Sequence, residues 1–332
     1  MMRKPDVIAT IGSTNSDLSF KLVEKLLKQN ICDIRFNFSK YKTYDEISLR
    51  QEFVSLLQER YRTDLKIMLD LPYPGKKIRL HINSIKKLVM PTQKYFISSS
   101  HFAHDFDIYI DVQGIGTKVS KGQKMIYSDN KAYLKVVDIL DDDLICVVPD
   151  REIELYNRKT ISFNYIEKKD AVDKLFTDLI SDLKPHRVAL SFVENIEEIN
   201  KFKETIKSTN IEIISKIETD TGIKKLNSIL EHSNIMLARG DLALNADIFA
   251  LYEIQRFAKQ LADERNRALY VATGILTSLY KNILPTQSEI IDLSLLLKME
   301  PKGIIINSGV LEKNLTGVVN CIQKVFENLV TN

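Results

Sequence analysis

Residues 212–241 read EIISKIETDTGIKKLNSILEHSNIMLARGD and contain two short apolar runs with a helical pattern between them. The runs are EIISKI, at 212–217, and NIMLAR, at 234–239. The intervening residues 222–232 carry one apolar helical stripe, formed by Ile223, Leu226, Ile229 and Leu230. Short, mostly apolar runs are typical of parallel strands that are buried on both faces. The segment therefore predicts a strand, a helix and a second, parallel strand.

The same alternation extends over most of the chain. Six further apolar runs bring the candidate strands to eight, and they begin at residues 6, 33, 66, 187, 269 and 303. Further helical patterns occupy residues 17–29, 168–183, 195–208, 247–266, 287–299 and 315–330. Strands that alternate with helices in this way predict a (β/α)8 barrel, also called a TIM barrel.

One interval interrupts the barrel pattern. After the third run the helical period fades, and short β-like runs follow, separated by turn residues, among them KMIYSD at 124 and DLICVVPD at 143. We therefore predict that residues 72–165 form a small β domain inserted after barrel strand 3. Residues 1–71 and 166–332 are then predicted to form the barrel.

Composition excludes several classes of protein. The 47 basic and 44 acidic residues give a formal net charge of +3, so nothing indicates a nucleic-acid partner or a polybasic membrane contact. No signal-peptide pattern and no apolar run of about 20 residues is present. Three widely spaced cysteines indicate neither a metal site nor a disulfide framework. We expect a cytoplasmic protein that binds small molecules, and the sequence leaves open whether it forms a homo-oligomer.

Polar residues cluster where the predicted strands end. Active sites of (β/α)8 barrels lie at the carboxyl ends of the strands. Residues i and i+2 of a strand point to the same face of the sheet. The candidates selected by these two rules are Arg35, Asn37, Ser39, Asp70, Lys216, Glu218, Arg239, Gly240, Asp241, Thr273, Asn307 and Ser308.

Glu218 and Asp241 are one helix and one strand apart in the sequence. On a barrel they would top neighbouring strands, where two carboxylates repel each other unless a cation lies between them. A hard divalent ion such as Mg²⁺, completed by substrate oxygens, fits this pair. The alternative is that each acid forms an ion pair, with Lys216 or with Arg239. Gly240 permits a close approach of the backbone to a ligand, or simply a tight turn.

Five segments together resemble the pyruvate kinase family. They are VIATIGSTNSD (7–17), DIRFNFS (33–39), LDLPYPGKKIRL (69–80), IISKIETDTGIKKLNSILEHSNIMLARGDLAL (213–244) and VATGILTSLYKNILPTQSE (271–289). The resemblance is to a short form without the C-terminal domain, which in that family carries an effector site and part of the tetramer interface. It implies a (β/α)8 barrel with a β domain after strand 3, and phosphoryl transfer between phosphoenolpyruvate and ADP.

The resemblance also implies a role for each candidate. Glu218 and Asp241 would hold Mg²⁺ or Mn²⁺, and Lys216 and Arg35 would neutralise the phosphoryl group. The substrate would be bound by four groups, at Gly240, Asp241, Arg79 and Ser308, with catalytic Thr273 beside the carboxylate. A monovalent cation would take its ligands from Asn37, Ser39 and Asp70 and from the carbonyl of Leu71. Lys77 stands where potassium-dependent members carry Glu, which implies an ammonium in place of K⁺.

The chain departs from the family pattern mainly on the nucleotide side. The residues that differ are Lys40 for His, Glu194 for Arg, Gly274 for Gln, Gln287 for Arg and Val310 for Glu. The resemblance therefore implies that the acceptor is ADP or a related, specialised molecule. Two other functions stay open on the sequence: a lyase or aldolase that handles pyruvate or its enolate, and a catalytically inactive protein that binds a phosphorylated metabolite.

Overall fold

The structure is a computed structural model that describes residues 2–12, 16–40, 44–61, 65–99, 107–127, 132–163, 165–168, 173–206 and 210–331. The chain forms two compact units. The first comprises Met1–Pro74, Asp170–Ala243 and Asp247–Asn332, and the second comprises Gly75–Lys169 with Leu244–Ala246. The insertion in this division begins after residue 74 and ends at residue 169, where residues 72 and 165 were predicted, and residues 244–246 were not predicted to join it.

The first unit is built on eight parallel strands, each at a predicted run. They are β1 (Asp6–Thr10), β2 (Asp33–Asn37), β3 (Lys66–Lys76), β4 (Arg187–Ser191), β5 (Glu212–Ile217), β6 (Asn234–Ala238), β7 (Leu269–Ala272) and β8 (Gly303–Ile306). Each strand pairs with its successor, and β8 pairs with β1, so the sheet closes. The prediction of a (β/α)8 barrel with an inserted β domain is confirmed.

Helices follow the strands around the barrel. Those of seven residues or more are Ser16–Lys28, Tyr44–Arg60, Lys174–Leu183, Ile196–Ile206, Leu226–His232, Arg239–Asn245, Leu251–Glu264, Gln287–Lys298 and Ser308–Thr331. The last begins earlier than the predicted residue 315, because helical structure precedes and follows a kink at Asn314, where φ is −148° and ψ is 55°.

The helix Tyr44–Arg60 has no clear apolar stripe in the sequence. Leu49 and Leu56 on this helix are exposed, while the charged Arg50 is buried. The guanidinium carbon of Arg50 lies 5.7 Å from the ring centroid of Phe36 and 5.4 Å from that of Phe53. A cation stacked on aromatic faces thus takes a position that periodicity assigns to an apolar residue.

The interior of the barrel is a closed apolar layer. Seven of the eight strands contribute to it, with the residues Ile8, Met68, Ala189, Ile214, Met236, Tyr270, Ala272 and Ile305. At the amino ends of the strands, Arg187 pairs with Asp33 and with Glu212, which also accepts a hydrogen bond from the Tyr270 hydroxyl. Groups at this end of a barrel stabilise the fold, while chemistry takes place at the opposite end.

The second unit is a β barrel of its own. Seven strands close it, and a separate antiparallel pair joins Lys86–Val89 to Ile153–Tyr156. The closing strands are Arg79–Ile82, Tyr95–Ser99, Ile108–Ile110, Lys124–Tyr127, Ala132–Ile139, Leu144–Pro149 and Lys159–Ser162. Their inward side chains, such as Leu80, Ile97 and Val136, form a separate apolar core.

Within the described ranges, none of the helices combines the length and hydrophobicity that a bilayer span requires.

Candidate active site

A charged layer lies directly above the apolar layer of the barrel. Because strand side chains alternate, the residue two positions after each interior residue also faces inward. Thr10, Asp70, Ser191 and Lys216 stand in this relation to Ile8, Met68, Ala189 and Ile214. All four are buried. Polar groups therefore meet at the carboxyl ends of β1, β3, β4 and β5, and β2 lies between the first two of these strands.

Lys216 is at the centre of this layer, with only 5% of the residue exposed. Its Nζ donates to Asp70 Oδ1 at 3.1 Å and to Ser191 Oγ at 2.9 Å. The same Nζ lies 3.2 Å from Glu218 Oε1. Burial alone would lower the pKa of this ammonium, but Asp70 and Glu218, and more weakly Asp241, raise it above its usual value. Lys216 is therefore a buried permanent cation near neutral pH.

Asp70 links Lys216 to a second cation. Arg35 donates to Asp70 Oδ2 from Nε at 2.9 Å and from a terminal nitrogen at 2.5 Å. Its other terminal nitrogen donates to Thr10 Oγ1 at 3.0 Å. Burial alone would raise the pKa of the Asp70 carboxyl, but Lys216 and Arg35 outweigh it and the pKa is lowered. An ionised carboxylate thus holds two cations in fixed positions.

Glu218 follows directly after β5 and is fully buried. Its Oε2 accepts a hydrogen bond from the backbone N–H of Phe192 at 2.7 Å, which anchors one of the two carboxylate oxygens. Asp241 lies in the short helix Arg239–Asn245 after β6 and is partly exposed. Its negative charge reaches the Lys216 ammonium and contributes to the raised pKa of that group.

Arg239 is engaged away from the two predicted metal ligands. It forms a two-point ion pair with Asp292, at 2.7 and 2.9 Å, and its Nε donates to the carbonyl of Thr273 at 3.0 Å. The alternative in which Arg239 pairs with one of the acids is therefore not what the geometry supports. The other half of that alternative, a pair between Lys216 and Glu218, is present.

The backbone is strained where β7 ends. Thr273, an exposed residue, has φ of +74°, and Gly274 follows with +78°. A β-branched residue in this region is rare, and such strain clusters at functional sites. Gly240 packs against it so closely that a Cβ at position 240 would lie 2.7 Å from Thr273 Cγ2. Gly240 is thus required by a close approach to Thr273, at the end of the neighbouring strand.

The predicted monovalent-cation ligands are neighbours in the sheet. Asn37 is opposite Asp70 in the β2–β3 register, and its Oδ1 accepts from the N–H of Ser39 at 3.0 Å. The Ser39 hydroxyl oxygen is buried and has no hydrogen-bond partner among the described residues. The carbonyl of Leu71 accepts from Ser191 Oγ at 2.8 Å.

The other candidates lie elsewhere. Arg79 and Lys77 belong to the inserted unit, where the backbone N–H of Arg79 donates to Asp111 Oδ1 at 2.5 Å. Ser308 is buried at the start of the last helix, against Gly12, and Asn307 beside it is exposed. Glu194 accepts from Thr219 Oγ1 at 2.7 Å. The side chain of Lys40 lies outside the described residues.

Sequence reasoning missed Thr10 and Ser191. A signal was available, since each lies two residues beyond an interior apolar residue, as Asp70 and Lys216 do. Serine and threonine are common at strand ends and carry no charge, so the sequence alone does not single them out. Their place in the layer is defined by their hydrogen bonds with Arg35 and Lys216.

Glu289 organises the segment that follows Thr273. It caps the helix Gln287–Lys298 through a capping box with Thr286, and it accepts from Ser278 N at 2.8 Å and from Thr277 Oγ1 at 3.1 Å. Burial alone would raise the pKa of Glu289, but the hydrogen bonds from Ser278, Thr286 and Thr277 lower it to about 2. The carboxylate is therefore a structural anchor for the loop after β7.

We expect Glu289→Gln to lower the free energy of unfolding by about 1–2 kcal/mol at pH 7, because charged acceptors and capping boxes contribute on this scale. A depressed carboxyl pKa stabilises above the unfolded value, which is 4.5, and that contribution is lost as the pH falls towards 2. Urea unfolding at pH 7 and at about pH 3.5 should show the difference between variant and wild type shrinking at the lower pH. An equal difference at both values would contradict this account.

The sequence of this chain matches a known family over most of its length. The family model described as the barrel domain of pyruvate kinase matches residues 2–297. The chain belongs to the pyruvate kinase family. Among curated pyruvate kinases, those of Buchnera aphidicola (subsp. Baizongia pistaciae) and Thermotoga maritima are 27% and 26% identical, each over 88% of this chain. The chain spans 63% and 64% of the length of these two relatives.

A solved structure has the same fold. The crystal structure of a pyruvate kinase from Cryptosporidium parvum superimposes with a TM-score of 0.81, over 98% of this chain and 70% of that protein. The identity between the two is 21%. This likeness shows that the two proteins share a fold.

Proposed function

We propose that this chain is a Mg²⁺-dependent phosphotransferase, which moves a phosphoryl group between phosphoenolpyruvate and ADP or a related acceptor. The observation that carries the proposal is the buried Lys216 ammonium, held between Asp70 and Glu218 at the carboxyl ends of the barrel strands. Burying an ion is costly unless it is paired, and this one is paired in a layer that also holds Arg35. Membership of the pyruvate kinase family supports the same reaction.

The cations perform the part of the reaction that falls to the protein. Phosphoryl transfer requires little covalent chemistry from side chains, but it requires fixed positive charge beside the transferred group. Lys216 supplies one such charge, and it does not have to reorganise because oxygens already surround its Nζ. Arg35 supplies the second, with its guanidinium plane fixed by Asp70 and Thr10.

The residues present fit a divalent ion. Mg²⁺ is usually held by one or two carboxylates, with water and substrate oxygens completing its shell. Glu218 and Asp241 offer that number, and no cluster of three or more acidic, His or Cys ligands exists among the described residues. When bound, Mg²⁺ or Mn²⁺ would supply Lewis-acid stabilisation of the enolate oxygen. Glu218 would enter such a site already oriented by the Phe192 N–H.

A monovalent cation is a separate part of the proposal. The buried Ser39 hydroxyl, with Asn37 and Asp70 beside it, offers the hard oxygen donors that such an ion takes. Lys77 supports the opposite expectation, that the enzyme works without K⁺. We propose that the enzyme works without K⁺. A rate that rises strongly with added K⁺, but not with Na⁺, would contradict this proposal.

The substrate is proposed to lie over the strained end of β7. The backbone of Gly240 and Asp241, with Thr273 beside it, would hold the carboxylate of pyruvate, and Ser308 is proposed as a further contact. A role of Arg79, which belongs to the other unit, remains a prediction from the resemblance. The side of the site that would bind the phosphoryl acceptor differs from the family pattern, because the carboxylate of Glu194 stands where the family places an arginine. That exchange favours an acceptor other than an unmodified nucleoside diphosphate, or a weaker affinity for ADP.

The test is release of pyruvate from phosphoenolpyruvate, measured with Mg²⁺ and a panel of nucleoside diphosphates and other acceptors. We expect release that requires both the metal and one acceptor. Absence of turnover with every acceptor would sink the proposal. Proton exchange at the methyl group of pyruvate, with no phosphoryl donor or acceptor present, would instead favour a lyase or aldolase. Light scattering on the same sample would measure whether the chain forms a homo-oligomer, which remains a prediction.

A further inference from the structure

Ser191, the last residue of β4, bridges the charged layer and the backbone of β3. It is 2% exposed, and its hydroxyl has two partners. Its Oγ donates to the carbonyl of Leu71 at 2.8 Å and accepts from Lys216 Nζ at 2.9 Å. These directions are fixed, because a carbonyl can only accept, an ammonium can only donate, and a hydroxyl has one hydrogen. A change of the Ser191 side-chain rotamer would therefore break both bonds.

The Lys216 ammonium has three N–H groups and three oxygens around it. Two of the oxygens belong to the carboxylates Asp70 and Glu218, and the third is Ser191 Oγ. A lysine side chain ends in a flexible four-carbon stem, so two contacts leave its Nζ free to swing about the line that joins them. The third contact removes that freedom.

Among the three oxygens, Ser191 Oγ has a distinct task. Both carboxylates are proposed to act elsewhere in the site, Asp70 by holding Arg35 and Glu218 by holding a metal. Ser191 is neutral, and its other bond goes to a backbone carbonyl on β3, a rigid element of the barrel. It can therefore hold Lys216 in place without drawing charge away from a phosphoryl group.

We propose that Ser191 is a positioning residue for Lys216, which sets the place of the ammonium relative to the transferred phosphoryl group. This inference rests on the proposed function, because it concerns the same lysine. Displacing a catalytic group by about 1 Å can cost about 100-fold in rate. We expect Ser191→Ala to lower kcat by about 10- to 100-fold, and kcat/KM by a similar factor, because the lost interaction matters in the transition state.

Two further variants separate positioning from a structural role. Ser215→Ala removes another fully buried hydroxyl of the barrel strands, one that bonds Ser233 Oγ at 2.7 Å instead of a group of the layer. It should leave kcat unchanged. Ser191→Thr keeps the hydroxyl, so its kcat should lie much closer to that of wild type than the kcat of Ser191→Ala. If Ser191→Ala stays within about threefold of wild type, or if Ser215→Ala falls as far, the proposal is overturned.

A readout without activity completes the test. Crystal structures of wild type and Ser191→Ala, grown in one condition, should show Lys216 Nζ displaced from its position between Asp70 and Glu218 in the variant only. An unmoved Nζ overturns the positioning role. If wild type releases no pyruvate with any acceptor, the proposed function fails, and this structural comparison still decides what Ser191 does.

Discussion

Lys216→Met should lower kcat for pyruvate release by at least about 1,000-fold, because a fixed cation beside a transferred phosphoryl group contributes on this scale. Methionine has a similar length and fills the same space, but it carries no charge. Three contacts to Asp70, Ser191 and Glu218 would be lost together. Steady-state assays at saturating phosphoenolpyruvate, with circular dichroism as a check of folding, measure the effect.

The matched control for this variant is Lys203→Met. Lys203 is a partly buried lysine of the same unit, and its Nζ donates to the carbonyl of His232 at 2.6 Å, away from the layer. It should keep the wild-type rate. If the methionine variant does not fold, Lys216→Arg is the substitute, because it keeps the positive charge. We expect it to be slow as well, because a planar guanidinium cannot contact Asp70, Ser191 and Glu218 as the ammonium does. Full activity in Lys216→Met would remove the lysine from the chemistry of the site.

Glu218→Gln should raise the concentration of Mg²⁺ needed for half-maximal rate by at least about tenfold, because affinity for hard cations follows the number of charged ligands. Glutamine is the sharpest replacement here. Its carbonyl oxygen can still accept from the Phe192 N–H, at 2.7 Å in the present structure, so the loop after β4 keeps its anchor. The change therefore removes charge and leaves shape.

Titration of Mn²⁺ binding by electron paramagnetic resonance checks this result without any turnover. Asp220→Asn is the control, since Asp220 lies two residues further on, is exposed, and pairs with Lys224. It should bind Mn²⁺ as wild type does. Unchanged Mn²⁺ binding in Glu218→Gln would remove Glu218 from the metal site, and the buried pair with Lys216 would then be its whole role.

The candidates that the sequence could select are the charged residues at or just beyond the ends of strands. A two-residue period, combined with the rule that barrel sites lie at the carboxyl ends of strands, was sufficient to select Lys216, Glu218 and Asp70 as candidates, and the structure brings these three side chains together. The sequence could not decide the partner of Arg239, because Asp292 is a helix residue 53 positions away and no local pattern connects the two. It also passed over Ser191, whose position becomes meaningful only when Lys216 is seen beside it.

The helix Tyr44–Arg60 shows a different reason for failure. Amphipathic periodicity assumes that the buried face is apolar, and Arg50 breaks that assumption by packing its guanidinium on two phenylalanine rings. In the inserted unit, the strands Arg79–Ile82 and Lys86–Val89 read RLHI and KKLV. Basic residues interrupt the apolar runs that would mark these strands in the sequence.

The contact between Gly240 and Thr273 makes two sequence positions into one heritable unit. A side chain at 240 would have to occupy space that the Thr273 methyl already fills, since the separation would be 2.7 Å. The constraint acts in one direction: a residue larger than glycine at 240 requires that the Thr273 methyl be moved or lost, whereas a smaller residue at 273 is compatible with Gly240. Mutational paths that alter this corner of the barrel must therefore pass through the loss of the threonine first, so its history is ordered as well as constrained.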